Sequence, residues 1–302
     1  MSTGSPLYRL GPAIGGAITF ACADVLGKVG LNAGVDVLTL VTFRSYVGLA
    51  IIYAWLKLGP KADPVTPQAK WISLGLGVLF TGNIFGLFKA FELIEVPVAV
   101  LTYFTYPLLT GLAAAATGLE KLTLRDFLAA LAAFAGLALI IGAHPGGVAM
   151  LGVVAALGAA CCRVVILLVT RSSLVGTDAR LITWYSLVVS TALFTVFSVA
   201  TWNWQPPANA LGWFAVVGLG VTTTLGILAV YVSAKRIGPF RTALIMNLEP
   251  LFTAIGSAIF LGEVLNAFQV LGGGIMLLAL VKFQRWSLAR QIASLSSTDR
   301  RA

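Results

Sequence analysis

Ten stretches of about 20 mainly apolar residues occupy almost the whole chain. A hydrocarbon layer about 30 Å thick is crossed by roughly 20 helical residues, so each stretch is long enough to span a bilayer. In lipid the backbone has no water to bond, and a helix satisfies its own N–H and C=O groups. The sequence therefore predicts an all-α membrane protein with ten transmembrane helices, spans 1 to 10, near residues 8–28, 35–57, 70–90, 97–117, 124–143, 147–170, 179–201, 211–233, 239–261 and 267–284.

Charged residues make up only 10% of the 302 residues, whereas a soluble domain has roughly a quarter of its residues charged. Of the 20 lysines and arginines, 16 lie in the tails and in the connections that follow even-numbered spans, and two, Lys28 and Lys89, lie on the other face. The positive-inside rule then predicts a cell (inner) membrane protein with both termini on the cytoplasmic side. The net charge of +9 borders apolar spans, which favours a topological cause over nucleic-acid binding.

The chain repeats itself after 143 residues. "TYPLLTGLAAAATGLE" at 105–120 matches "LEPLFTAIGSAIFLGE" at 248–263, with Pro107 aligned to Pro250. The repeating unit is five spans, and an odd number sends the second copy into the membrane from the opposite side, as in inverted-repeat transporters. We expect a first repeat at 1–145, an inverted second repeat at 146–286 and a cytoplasmic tail at 287–302. Hinges are expected at prolines, which lack the N–H of a regular helix: Pro97, Pro107, Pro239 and Pro250.

The ten spans, the duplication, the prolines of spans 4 and 9 and the "FLGE" at 260–263 resemble the drug/metabolite transporter superfamily, specifically EamA-type exporters. The resemblance covers the full chain and is closest to the aromatic amino-acid exporter branch known as YddG. It implies a central cavity lined by spans 1, 3, 4, 6, 8 and 9, and outward movement of small metabolites. One departure is that Glu249 precedes Pro250 whereas Tyr106 precedes Pro107, which excludes a role that needs two symmetric carboxylates.

Polar residues at apolar depth on these inward-facing spans are the candidate site. An ionisable group near mid-membrane costs about 2.5–3.5 kcal/mol and usually faces a cavity or a partner. Tyr103 and Tyr106, three residues apart, share a helix face. The predicted substrate-binding residues are Asn83, Tyr103, Tyr106, Arg163, Tyr231, Asn247 and Glu249.

The charged residues have different expected roles. The planar fork of Arg163 suits a substrate carboxylate. Glu249 has two interpretations of equal weight, an ammonium partner or proton-titrating site, and a structural ion pair with an arginine. Arg44 in span 2 is expected to be structural, and Asp24 and Lys28, four residues apart, to form a local helix ion pair without a substrate role.

These residues favour a secondary-active or facilitative exporter of amino acids, aromatic and other small ones, and of related metabolites or drugs, working by alternating access. The alternatives are a passive channel and a multidrug efflux carrier without amino-acid preference. The sequence contains no HExxH, no GxxxxGK[ST] and no Cys/His cluster, so neither an enzyme nor a cofactor or metal site is expected. The expected partners are a small-molecule substrate and the lipid bilayer, with no nucleic acid and no obligatory protein partner, so that a monomer suffices.

Overall fold

The computed structural model describes residues 6–116, 124–142, 148–174, 176–202, 206–237, 245–279 and 281–282, which contain helices and turns but no strand. The helices are α1 (Pro6–Asn32), α2 (Val37–Leu58), α3 (Pro67–Leu93), α4 (Val96–Tyr103), α5 (Tyr106–Ala116), α6 (Leu124–Gly142), α7 (Met150–Ser173), α8 (Ala179–Ala200), α9 (Ala210–Ile237), α10 (Glu249–Phe260) and α11 (Ala267–Ala279).

Six of these helices, α1, α2, α3, α7, α8 and α9, contain stretches of 21 to 27 residues that are apolar enough to cross a membrane. Shorter apolar helices cover Val96–Thr110, Glu249–Phe260 and Ala267–Ala279. The all-helical membrane class is thus confirmed. The count of ten spans stays a prediction.

Helices from the two halves of the sequence pack mainly against each other. The most extensive interfaces join α1 to α9 and α3 to α7, followed by α3 with α8, α2 with α8 and α2 with α9. If each helix is exchanged for its counterpart in the other repeat (α1 with α7, α2 with α8, α3 with α9), this set of pairs maps onto itself. The same exchange relates the α1–α10 interface to those of α7 with α4 and α5.

Glycines allow the closest of these crossings. A Cβ atom on Gly77 of α3 would lie 2.6 Å from the Cβ of Val189 on α8, and one on Gly220 of α9 would lie 2.6 Å from the Cβ of Val47 on α2. Real side chains do not approach so closely, so only glycine lets these backbones meet. Gly77 and Gly220 are separated by the same 143 residues as the aligned prolines.

Spans 4 and 9 are broken. Phe104 and Thr105 separate α4 from α5, and a turn at Asn247 and Leu248 precedes α10. The break in each span comes before the proline, because Pro107 and Pro250 are the second residues of α5 and α10.

Pro97 is likewise the second residue of α4. A missing N–H costs nothing there, since the first N–H groups of a helix have no partner within the helix. These prolines therefore start helices and do not interrupt them. Pro239 and the side chain of Pro107 lie outside the described residues.

Candidate functional site

The break between α4 and α5 brings two predicted tyrosines together. The ring centroids of Tyr103 and Tyr106 lie 5.3 Å apart with a 46° tilt. The side chain of Asn83 on α3 donates from Nδ2 to Tyr103 Oη at 3.3 Å and to the Ala159 carbonyl of α7 at 2.7 Å. One buried amide thus joins α3, α4 and α7 beside an aromatic pair.

Arg163 of α7 adds a positive charge to this group. The centre of its guanidinium lies 5.7 Å from the centroid of the Tyr106 ring, within the range of a cation–π contact. Its charge also acts on the Tyr103 hydroxyl and on the carboxyl of Glu249. Glu249 is the first residue of α10, so α4, α5, α7 and α10 meet here.

Asp24 of α1 belongs to the same group, which sequence reasoning missed. Its side chain is buried, with 7% of the residue exposed, and Oδ2 accepts a hydrogen bond from Thr253 Oγ1 of α10 at 3.0 Å. Its charge acts on Glu249 and on Tyr103. The signal was available, since a carboxylate inside span 1 carries the same insertion cost as Glu249.

The expected ion pair between Asp24 and Lys28 is wrong. Lys28 Nζ instead donates to the carbonyls of Phe91 at 2.5 Å and Ile94 at 3.3 Å, and it lies 3.7 Å from Glu263 Oε1. A local pair four residues apart on a helix contributes only about 0.2–0.5 kcal/mol. Three acceptors from other parts of the chain outweigh that.

Glu263 completes a contact that we call the clamp, formed by Lys28, Glu263 and the N–H of Val96. Glu263 Oε2 accepts from the Val96 N–H, the first of α4, at 2.9 Å. Lys28 thus binds carbonyls at the end of α3 and Glu263 binds the start of α4, each opposite the dipole end that it complements. Burial raises the pKa of Glu263, and the Val96 N–H and the Lys28 charge offset this only in part.

A cavity of about 270 Å³ lies beside the clamp. Its lining comes from α1, the α3–α4 junction and the residues just before α7, and consists of Lys28, Glu92, Leu93, Ile94, Glu95, Val148 and Ala149. Of the predicted substrate-binding residues whose side chains the structure describes, none lines this cavity.

The other predicted residues are placed as follows. Asn247 is buried in the turn before α10, two residues before Glu249 in the chain. Tyr231 lies on α9, and its side chain is outside the described part of the chain. Arg44 lies apart from the tyrosines, between α2 and α9, where its Nε donates to Thr223 Oγ1 at 3.4 Å. No group of His, Cys, Asp or Glu that could hold a metal ion occurs among the described residues.

Long apolar helices around a buried group of opposite charges, aromatic rings and amides are the features of a multi-pass membrane transporter of small molecules. The family comparison agrees: the model of the EamA-like transporter family matches residues 11–142 and again residues 150–283, and the chain belongs to this family of transporters, which are not enzymes.

One similar solved structure, described only as "Crystal structure of protein", has a TM-score of 0.64 and 20% sequence identity. The match covers 93% of this chain and 99% of that chain, and at this identity it shows a shared fold alone. No curated protein matches the chain.

Proposed function

We propose that the protein is a secondary-active or facilitative exporter of amino acids, aromatic and other small ones, and of related small metabolites or drugs. The observation that carries this proposal is the position of Arg163 beside Tyr106 and Tyr103, together with the hydrogen bond of Asp24 to Thr253 on α10, the helix that begins at Glu249. An amino acid carries opposite charges on neighbouring atoms, and this group offers a partner for each.

The guanidinium of Arg163 binds the substrate carboxylate, because its fork of donors matches a carboxylate in two hydrogen bonds. Glu249 and Asp24 bind the substrate ammonium group. The faces of Tyr103 and Tyr106 pack against an apolar or aromatic side chain. Asn83 holds Tyr103 in place through the hydrogen bond to its hydroxyl.

Movement of substrate follows from the two halves exchanging conformations. Repeats at 1–145 and 146–286, inverted in the membrane, would open the site to each face in turn. The symmetric set of interfaces between first-half and second-half helices supports that exchange. The clamp ties helix ends at the face predicted to be outer and holds that face closed. In this proposal the protein acts as a monomer in the inner membrane, with both termini in the cytoplasm, and bends at the chain breaks that lie directly before the helices of Pro97, Pro107 and Pro250.

Counterflow in proteoliposomes tests the proposal. Vesicles loaded with unlabelled phenylalanine or leucine should take up the labelled amino acid saturably. Arg163→Ala removes a charge-assisted contact worth about 1.5–3 kcal/mol, which predicts an apparent affinity at least about tenfold weaker. Arg163→Lys keeps the charge but loses the fork and should recover only part of it, whereas Arg125→Ala, at an exposed arginine, should behave as wild type.

Unchanged affinity in a folded Arg163→Ala protein would make Arg163 structural. Flux that does not saturate would indicate a channel. The excess of carboxylates, Asp24 and Glu249 against Arg163, gives specific support to the other alternative, a multidrug carrier of organic cations. Uptake of such cations without competition from amino acids would establish that function instead.

A further inference from the structure

Arg44 is a buried cation without a counter-ion among the described residues. It lies on α2, one of the membrane-spanning helices, and only 8% of it is exposed. The ion pairs of the described residues do not include it. Its Nε reaches Thr223 Oγ1 at a long 3.4 Å, and its Nη1 has no hydrogen-bond partner among the described atoms.

An unneutralised guanidinium at this position is costly. A charged side chain within a bilayer is retained where it faces a partner or a cavity, and a buried charge costs several kcal/mol unless a charge of opposite sign accompanies it. A neutral hydroxyl such as that of Thr223 can accept a hydrogen bond but cannot cancel the charge. The environment of Arg44 therefore calls for a negative charge from outside the described chain.

A small pocket adjoins the guanidinium. Its volume of about 10 Å³ is close to that needed for one water-sized particle. It lies between α2, α3, α8 and α9, and its lining is Arg44, Gly48, Phe80, Leu187, Gly220, Thr223, Thr224 and Ile227. No acidic side chain contributes to this lining, so the pocket has a net positive charge.

The threonines of the pocket supply few donors. Thr223 Oγ1 donates to the Leu219 carbonyl at 2.7 Å and Thr224 Oγ1 to the Gly220 carbonyl at 2.8 Å. Nη1 of Arg44 is a buried donor in the lining that has no partner among the described atoms. Thr191, four residues after Leu187 on the same face of α8, is buried with its hydroxyl unpartnered among the described residues.

We propose that Arg44 forms a second binding site, for a small monovalent anion, between α2, α3, α8 and α9 and separate from the group around Arg163. The pocket is too small for a polyatomic anion such as sulfate or phosphate, and a halide such as chloride is the ligand to which we commit. A divalent anion would replace one unbalanced charge by another. The bound anion accepts from Arg44 Nη1 and neutralises it, and it strengthens the packing of first-half helices on second-half helices. This site does not depend on the identity of the transported substrate.

Anomalous scattering from crystals of the unmodified protein grown in bromide tests the site directly. We expect a peak within about 3.5 Å of Arg44 Nη1, the range of a hydrogen bond to a large anion. No peak at saturating bromide would overturn the proposal. This measurement needs no variant, so it stands even if substitution of Arg44 prevents folding.

Thermal unfolding in detergent provides the second test. Replacing gluconate by chloride at constant ionic strength should raise the unfolding temperature of the wild-type protein saturably, because a ligand that binds the folded state alone stabilises it by mass action. The shift should vanish in Arg44→Gln and persist in Arg125→Gln, at the exposed control arginine. Equal shifts in all three proteins, or none in wild type with chloride or acetate, would refute the site. A shift that depends on Arg44 with acetate but not with chloride would refute the halide site.

Discussion

Replacing Glu263 by alanine and by glutamine separates the two contributions that this side chain makes to the clamp. Glu263→Ala removes the acceptor of the Val96 N–H, and Val96 is fully buried. A buried donor left without a partner costs about 1–3 kcal/mol. Lys28 loses its carboxylate as well, but keeps the carbonyls of Phe91 and Ile94. We therefore expect Glu263→Ala to lower the free energy of unfolding by about 1–3 kcal/mol.

Glu263→Gln should cost much less. Its amide oxygen can still accept from the Val96 N–H, and the change from a charged to a neutral acceptor loses only about 1 kcal/mol. Opposed to this loss is the relief from burying a carboxylate and from its repulsion by Glu95, which together raise the pKa of Glu263 despite Val96 and Lys28. The expected net change is below about 1 kcal/mol, consistent with buried ion pairs that contribute little to stability.

The pH dependence follows in sign. Because the pKa of Glu263 is raised in the folded state, folded protein binds this proton more tightly than unfolded protein does. Its contribution is fully present below the ordinary glutamate pKa of about 4.3 and is lost as pH rises through the raised value. Wild type should therefore become less stable relative to Glu263→Gln over that interval.

Reversible unfolding by dodecyl sulfate in mixed micelles, from about pH 4 upward, measures these differences. Glu92→Gln is the matched control, because Glu92 also pairs with a lysine, Lys89, but both side chains are about 40% exposed. An exposed pair contributes about 0–1 kcal/mol. If Glu263→Gln destabilised the protein as much as Glu263→Ala at neutral pH, charge and not the bond to Val96 would hold the clamp.

Two further substitutions test packing and the buried acid. Gly77→Ala places a Cβ against Val189 and the Ser186 carbonyl and should destabilise the protein by about 1–3 kcal/mol through overpacking. The control Gly75→Ala, on the same helix, meets nothing within 4 Å and should be neutral or stabilising. Equal effects of the two substitutions in unfolding experiments would contradict the close crossing. Thr253→Val removes the donor to Asp24; it should lower the free energy of unfolding by about 1–3 kcal/mol and weaken counterflow. Unchanged stability and transport would show that this hydrogen bond is dispensable.

The helices could be predicted from the sequence because lipid leaves a long apolar stretch few other ways to satisfy its backbone. The breaks in spans 4 and 9 were also marked by the sequence, but their exact positions were not. Pro107 and Pro250 suggested breaks at the prolines, whereas the structure starts helices there, because the first turn tolerates a residue without an N–H.

The candidate site was predicted in part. Asn83, Tyr103 and Tyr106 could be grouped because all are polar at apolar depth. The shared helix face predicted for the two tyrosines is wrong, because Tyr103 ends α4 and Tyr106 begins α5. Pairing Asp24 with Lys28 gave the wrong position for both side chains, because their actual partners lie more than 60 residues away in the chain. The position of the Asp24 carboxylate deep within an apolar span was a better indication of its role than its spacing of four residues from Lys28.

The pairing of helices across the sequence also has a consequence for biosynthesis. During synthesis α1 and α3 enter the membrane well before α9 and α7, which are their most extensive neighbours, and chains ordinarily fold from the N-terminal side as they emerge. The first-half helices must therefore remain in lipid with glycine-lined faces uncovered, as at Gly77, until the later helices are inserted. Each half of the chain then packs against the other half as it folds. Two half-chains expressed from separate genes should therefore be stable only when both are present in the same cell.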